Sequence, residues 1–240
     1  MKNDLFSIGP FTVHGYGLMI AIGVLSAYYM VEYRAKKKQM DWEKVFPLTV
    51  WSVLGGFLGS KILYLLTRLP DILANPVLLG SSIKDGFVVY GGIIGGILTA
   101  WIYCKCTKWN FWKIFDIVMP AVAMAQGFGR IGCLLAGCCY GIELDPANPI
   151  GIVFHNSAYA PNDVALLPTQ IISSVLDFAN CFVLLALSKK LKTDGQVASC
   201  YLIFYSIGRF VLEYFRGDLI RGNVGEFSTS QFISLFICLI

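Results

Sequence analysis

Three groups of residues in this chain have the types and spacing to do chemistry. Arg130 lies in Gln126-Gly127-Phe128-Gly129-Arg130-Ile131-Gly132-Cys133, where small neighbours leave room for a bulky ligand. Tyr205, Arg209 and Glu213 are spaced four apart, with Arg216 seven beyond Arg209. A helix puts such residues on one polar stripe. Arginine suits a phosphate because its planar fork makes two parallel, charge-assisted hydrogen bonds. Glu213 either neutralises Arg209 in a structural pair or orients it toward an anion. The third group is Cys133, Cys138 and Cys139. Packing, a disulfide, a metal site and a nucleophilic thiol are all open to them, and Arg130 nearby favours a thiolate. The spacing is not a CxxC pair and the chain has only two histidines, so neither a metal nor another cofactor is expected.

The elements that carry these residues are apolar. Of 240 residues, 56% are hydrophobic and 14% charged, against about 45–50% apolar and about 25% charged in soluble domains. This excludes a soluble globular domain, a disordered chain and a collagen-like fibre. The apolar runs are continuous rather than alternating, which argues for helices over a β-barrel. Seven spans are expected, at roughly 13–33, 46–67, 87–104, 114–136, 169–188, 196–215 and 229–240. The seventh is short for a bilayer, and Glu226 makes an earlier start costly. The N-terminus lacks the short apolar core and cleavage site of a secretory signal.

Basic residues alternate between the loops. Loops 34–45, 105–113 and 189–195 carry Arg34, Lys36, Lys37, Lys38, Lys44, Lys105, Lys108, Lys113, Lys189, Lys190 and Lys192. The other side has Lys2, Arg68, Lys84, Arg216 and Arg221. The positive-inside rule then puts the N-terminus outside and the C-terminus inside. The stretch 138–168, rich in Pro, Asn, Asp and Gly, reads as an extracytoplasmic cap inserted in a single integral membrane domain over 1–240. His155 falls on its surface. Gly55, Gly56, Gly59, Gly91, Gly92, Gly95 and Gly96 have the small-residue spacing that lets helices approach closely in lipid. Gly91 and Gly92 also open a helix, where free N–H groups suit an anion. Lys61 is expected to snorkel outward and Asp116 to reach water near the inner boundary. Asp177 is buried without an assigned role.

At these residues the sequence resembles the prolipoprotein diacylglyceryl transferase family, over most of the chain and in motif order. His14-Gly15-Tyr16-Gly17 is similar to the family's His-Trp-Tyr-Gly, and Tyr90-Gly91-Gly92 falls where the family has His-Gly-Gly. Gly129-Arg130-Ile131-Gly132-Cys133 resembles Gly-Arg-x-Gly-Asn, and Pro168-Thr169-Gln170 resembles Pro-Ser-Gln. Tyr205, Arg209, Glu213 and Arg216 fit the family's Tyr-x-x-x-Arg-x-x-x-Glu-x-x-Arg. The resemblance implies transfer of the diacylglyceryl group of phosphatidylglycerol, or a related anionic lipid, to a thiol acceptor such as the lipobox cysteine of a prolipoprotein. Glycerol 1-phosphate leaves. It implies a multi-pass protein of the bacterial cytoplasmic membrane, with its site toward the outer face and no nucleic-acid partner. Arg130 and Arg209 would hold the phosphate, Glu213 would orient Arg209, and Tyr16 and Tyr205 would line the head-group pocket. His14, Tyr90, Gly91, Gly92, Gly132, Gln170 and Arg216 complete the expected binding residues, with Cys133 and Cys138 as thiol candidates.

Three positions depart from the family pattern. Tyr90 replaces a histidine, Cys133 an asparagine and Cys138 an acidic residue. Tyrosine, with a reference pKa near 10, is a poor base at neutral pH. The alternative is a diverged member that binds anionic phospholipid and uses Cys133, Cys138 and Cys139 for other thiol or redox chemistry. Leu135-Ala136-Gly137-Cys138 also reads like a lipobox.

Overall fold

A computed structural model describes residues 4–8, 11–75, 77–84, 86–218, 223–224 and 227–239. Lys2, Arg221, Glu226 and Ile240, which entered the span and charge arguments, lie outside the described residues. The chain divides into two compact units, one of residues 1–31 with 115–240 and one of residues 32–114.

The elements are mostly helical. Strands β1 (Asp4–Ile8) and β2 (Phe11–His14) form an antiparallel ribbon, followed by α1 (Gly15–Lys37). A 3-10 turn, Trp42–Lys44, leads into α2 (Val45–Thr67), then the short α3 (Leu69–Ala74) and α4 (Leu78–Lys84). Next come α5 (Val89–Thr107), α6 (Phe111–Ala136), β3 (Ile152–Val153) and β4 (Ala165–Leu166). After α7 (Thr169–Leu187) and α8 (Gln196–Glu213), the chain makes β5 (Asn223–Val224), β6 (Phe227–Ser228) and α9 (Thr229–Leu239).

Among the described residues, five helices are long and apolar enough to cross a membrane: α1, Trp42–Thr67, α5, α6 and α7. This is an all-α polytopic membrane architecture, with three small two-stranded ribbons among the described residues. The sixth expected span, α8, is interrupted by Gln196, Ser199, Ser206, Arg209 and Glu213. The seventh, α9, has 11 residues and rises only about 16 Å, against a hydrocarbon core of about 30 Å. The β1–β2 ribbon was not expected from the sequence, although Gly9-Pro10 between two apolar segments is a turn signal.

In the 32–114 unit, α2 and α5 pack along their glycines. A Cβ on Gly91 would lie 2.3 Å from the Gly59 carbonyl oxygen, and one on Gly95 would lie 2.3 Å from that of Gly55. Only glycine permits backbones this close. Lys61 is held within this unit rather than reaching outward alone. Its ammonium donates to the carbonyls of Ser82 and Gly86 and lies 4.3 Å from the Phe87 ring centroid.

In the other unit, Met119, Ala123, Cys181, Leu184, Val197, Ala198 and Tyr201 form a buried cluster from α6, α7 and α8. The sequence suggested that Asp116 reaches water, and the structure overturns this. The residue is 5% exposed, and its two carboxylate oxygens accept the N–H groups of Gly195 and Ala198 at 2.8 Å each. Asp116 therefore caps α8 from α6, satisfying N–H groups that a helix start leaves unpaired and placing a negative charge at the positive end of the dipole. The 138–168 stretch folds around Phe154, Ala160 and Leu166, with the β3–β4 pair across it. His155 sits on its surface beside Asp163, 2.6 Å away.

Candidate active site

The end of α6 explains how the cysteines meet. Gly137 has a φ of +75°, its N–H donates to Leu134, and the Cys138 N–H donates to Cys133. Those two bonds are the Schellman termination of a helix, in which a left-handed residue folds the chain back over the last turn. Glycine is required twice over: the conformation disfavours a side chain, and a Cβ here would lie 2.3 Å from the Ser157 hydroxyl. Cys139 is also left-handed, at φ 60°. The reversal gathers the sulfurs of Cys133, Cys138 and Cys139 within 4.8 Å of one another. None of the three is in a disulfide, and all are half-buried.

The start of α7 pins this turn from the opposite side. Thr169 Oγ1 donates to the Cys139 carbonyl and Gln170 Nε2 to the Cys138 carbonyl, each at 2.8 Å. Gln170 is 1% exposed. The Pro168-Thr169-Gln170 motif thus supports the cysteine turn. Hydrogen bonds from the Cys133 and Cys138 thiols, followed by the charge of Arg216, hold the Cys139 thiol below the usual thiol range. The Cys138 thiol is pushed up, chiefly by its hydrogen bonds to Cys133 and Cys139.

The arginines differ in their partners. Arg209 Nη2 lies 2.8 Å from Glu213 Oε2. It is an ion pair whose side chains are 12% and 10% exposed. The same nitrogen donates to Ser230 Oγ at 2.9 Å. Arg216 grips Asp218 through two bonds, of 2.7 and 2.5 Å, and also reaches Cys139. It does not extend the α8 stripe, as its spacing suggested. The helix ends at Glu213, and Arg216 bridges Gly141 instead. Arg130, by contrast, forms no hydrogen bond or ion pair among the described residues. Its electrostatic neighbours are Tyr205, Cys133, Cys139 and Asp177, and Arg209 senses both Arg216 and Arg130. Three guanidiniums therefore share one neighbourhood.

Tyr16 and Tyr205 line it. Tyr16 packs on Gly132, where a Cβ would lie 3.2 Å from its ring, and is an electrostatic neighbour of all three cysteines and Arg130. Tyr205 stacks on Tyr201 with ring centroids 5.8 Å apart, and the Tyr201 hydroxyl donates to Gln126 Oε1 at 2.9 Å. His14 is exposed in the terminal ribbon, 2.6 Å from Asp4. Tyr90, Gly91 and Gly92 belong to the 32–114 unit. Tyr90 is exposed there, and the N–H groups of Gly91 and Gly92 both point at the Val88 carbonyl. The sequence reading missed Thr169, Asp177, Asp218 and Ser230 as partners of these groups. Asp218 had a local signal, its place two residues after Arg216. Ser230 had none, because it arrives from another helix.

A family model described as prolipoprotein diacylglyceryl transferase matches residues 3–240. A relative from Clostridium tetani, named phosphatidylglycerol–prolipoprotein diacylglyceryl transferase, is 46% identical over 241 residues, covering 100% of this chain and 95% of the relative. One from Clostridium perfringens, carrying that name and the number 2, is 45% identical and covers 99% and 91%. One from Staphylococcus carnosus with the same name is 30% identical and covers 98% and 86%. With a family model matching residues 3–240 and relatives covered nearly end to end, the chain belongs to the prolipoprotein diacylglyceryl transferase family.

Proposed function

We propose that this protein transfers the diacylglyceryl group of phosphatidylglycerol to the cysteine thiol of a prolipoprotein. The observation that carries this is Arg130, a guanidinium in the body of a membrane helix with no ion-pair partner among the described residues. Asp177 acts on it electrostatically without contact, and a charge held in a membrane helix without a contacting counter-ion marks a ligand site. A phospholipid head group brings the phosphate. Arg130 and Arg209 clamp it, Glu213 fixes the rotamer of Arg209, and Tyr16 and Tyr205 wall the head-group space. As the glycerol C–O bond breaks, charge grows on the leaving phosphate, and prepositioned guanidiniums stabilise it most there. The acceptor's S–H bond breaks and its proton passes to water, its sulfur forms the new C–S bond, and glycerol 1-phosphate departs.

The basic loops 34–45, 105–113 and 189–195 support an orientation with the N-terminus outside and the C-terminus inside. In this orientation a single membrane domain in the bacterial cytoplasmic membrane turns the 138–168 cap and the arginine site outward. The test is a reconstituted assay with purified protein, phosphatidylglycerol and a lipobox peptide. The expected product is the peptide carrying one diacylglyceryl group, read by mass spectrometry. Bound phosphatidylglycerol with unmodified peptide overturns the transferase reading.

A further inference from the structure

We propose that Cys133, Cys138 and Cys139 bind one zinc-class divalent ion through three thiolates, leaving a fourth position open to the acceptor's thiol. The sequence spacing argued against a metal because it shows no CxxC pair. The turn after α6 supplies what the spacing lacks, by closing the chain so that the three sulfurs stand within 4.8 Å. Tetrahedral thiolate cages have Zn–S bonds of about 2.3 Å, so their sulfurs stand just under about 4 Å apart, and small side-chain adjustments bring this cluster there. No His, Asp or Glu joins the three as a fourth donor among the described residues. Three protein ligands with one vacant position is the pattern of catalytic rather than structural zinc.

The surroundings suit the charge. Three thiolates and one divalent cation sum to −1, and a fourth thiolate makes −2. Arg216 hydrogen-bonds Cys139, and Arg130 is an electrostatic neighbour of Cys133 and Cys139. The Thr169 and Gln170 bonds to the carbonyls of Cys139 and Cys138 fix the ligand-bearing backbone, the kind of outer support that metal ligands need. The half-burial of the cysteines leaves an approach for a fourth ligand.

The consequence rests on the transferase reading above. When an acceptor thiol takes the vacant position, its S–H bond breaks, a metal–sulfur bond forms, and the proton passes to water. A metal-bound thiol is deprotonated outright. This supplies a nucleophilic sulfur beside Arg130 without the histidine that Tyr90 replaces.

The test is cobalt(II) titration of the full-length protein in detergent micelles, followed by its visible and near-ultraviolet spectrum. The expected result is one ion per chain with thiolate charge-transfer bands. Binding should be lost in Cys133→Ser, Cys138→Ser and Cys139→Ser and kept in Cys106→Ser, an exposed cysteine elsewhere, with melting temperatures confirming that each variant is folded. A lipobox peptide should then shift the spectrum, and the same peptide with serine in place of its cysteine should not. No uptake by the wild type, or uptake unchanged in the three folded variants, overturns the site. Uptake without a cysteine-dependent shift overturns the open position. Product formation without cobalt uptake overturns the metal site alone. Cobalt uptake with a peptide-dependent shift but no product overturns the transferase reading and leaves the metal site standing.

Discussion

The Gln170 amide donates to the Cys138 carbonyl at 2.8 Å across 32 residues of sequence. It ties the first turn of α7 to the reversal that ends α6. With Thr169 on the Cys139 carbonyl, two adjacent side chains hold two adjacent peptide groups, so the cysteine turn is fixed from outside as well as by its own backbone bonds.

Gln170→Ala removes a buried donor and leaves the Cys138 carbonyl unsatisfied. Such a loss costs about 1–3 kcal/mol. The expected outcome is a lower melting temperature and faster alkylation of Cys138 by a maleimide. An unchanged alkylation rate would show that the turn holds without Gln170.

Arg130→Ala and Arg209→Ala should both abolish lipid turnover, but they should differ in stability. Arg130 has no ion pair to break. Its removal should leave the melting temperature near wild type while turnover falls by a factor of about 100 or more, the scale of losing one transition-state donor. Removing Arg209 strands Glu213 in a site where it is 10% exposed, and breaking a buried pair costs about 3–5 kcal/mol. Paired melting and turnover measurements separate the two, and full activity in either variant would remove the phosphate clamp.

Asp116→Ala deletes the cap that α6 provides to α8. Two N–H groups, of Gly195 and Ala198, lose their acceptor. The expected loss is about 1–2 kcal/mol, seen as a lower melting temperature. The fold-normalised turnover should be unchanged, since Asp116 touches none of the site residues. A loss of turnover at full stability would contradict this.

Gly91→Ala and Gly96→Ala probe the same helix at two distances from its neighbour. A Cβ at Gly91 meets the Gly59 carbonyl oxygen at 2.3 Å, whereas at Gly96 the nearest atom is 3.5 Å away. The first substitution should push α2 and α5 apart and lower thermal stability. The second should be tolerated. Equal melting temperatures would mean that the close backbone contact is dispensable.

The spans were visible in the sequence because lipid demands long apolar runs, and α1, α2, α5, α6 and α7 match them to within a few residues. The pairing of Arg209 with Glu213 was visible because helix geometry fixes which residues four apart can meet. The glycine contacts were visible because only small residues permit them. Composition and motif order were enough to indicate the family.

Other relationships needed the tertiary structure, because they join residues distant in the chain or depend on a single backbone angle. Asp116 looked like a boundary residue until α8 placed two N–H groups on it. Arg216 looked like part of a helical stripe until the helix stopped at Glu213. Cys133, Cys138 and Cys139 looked wrongly spaced for a shared ligand until Gly137 turned the chain through a left-handed conformation. Sequence spacing predicts contacts only while the backbone keeps a regular period, and at the end of α6 that period is broken.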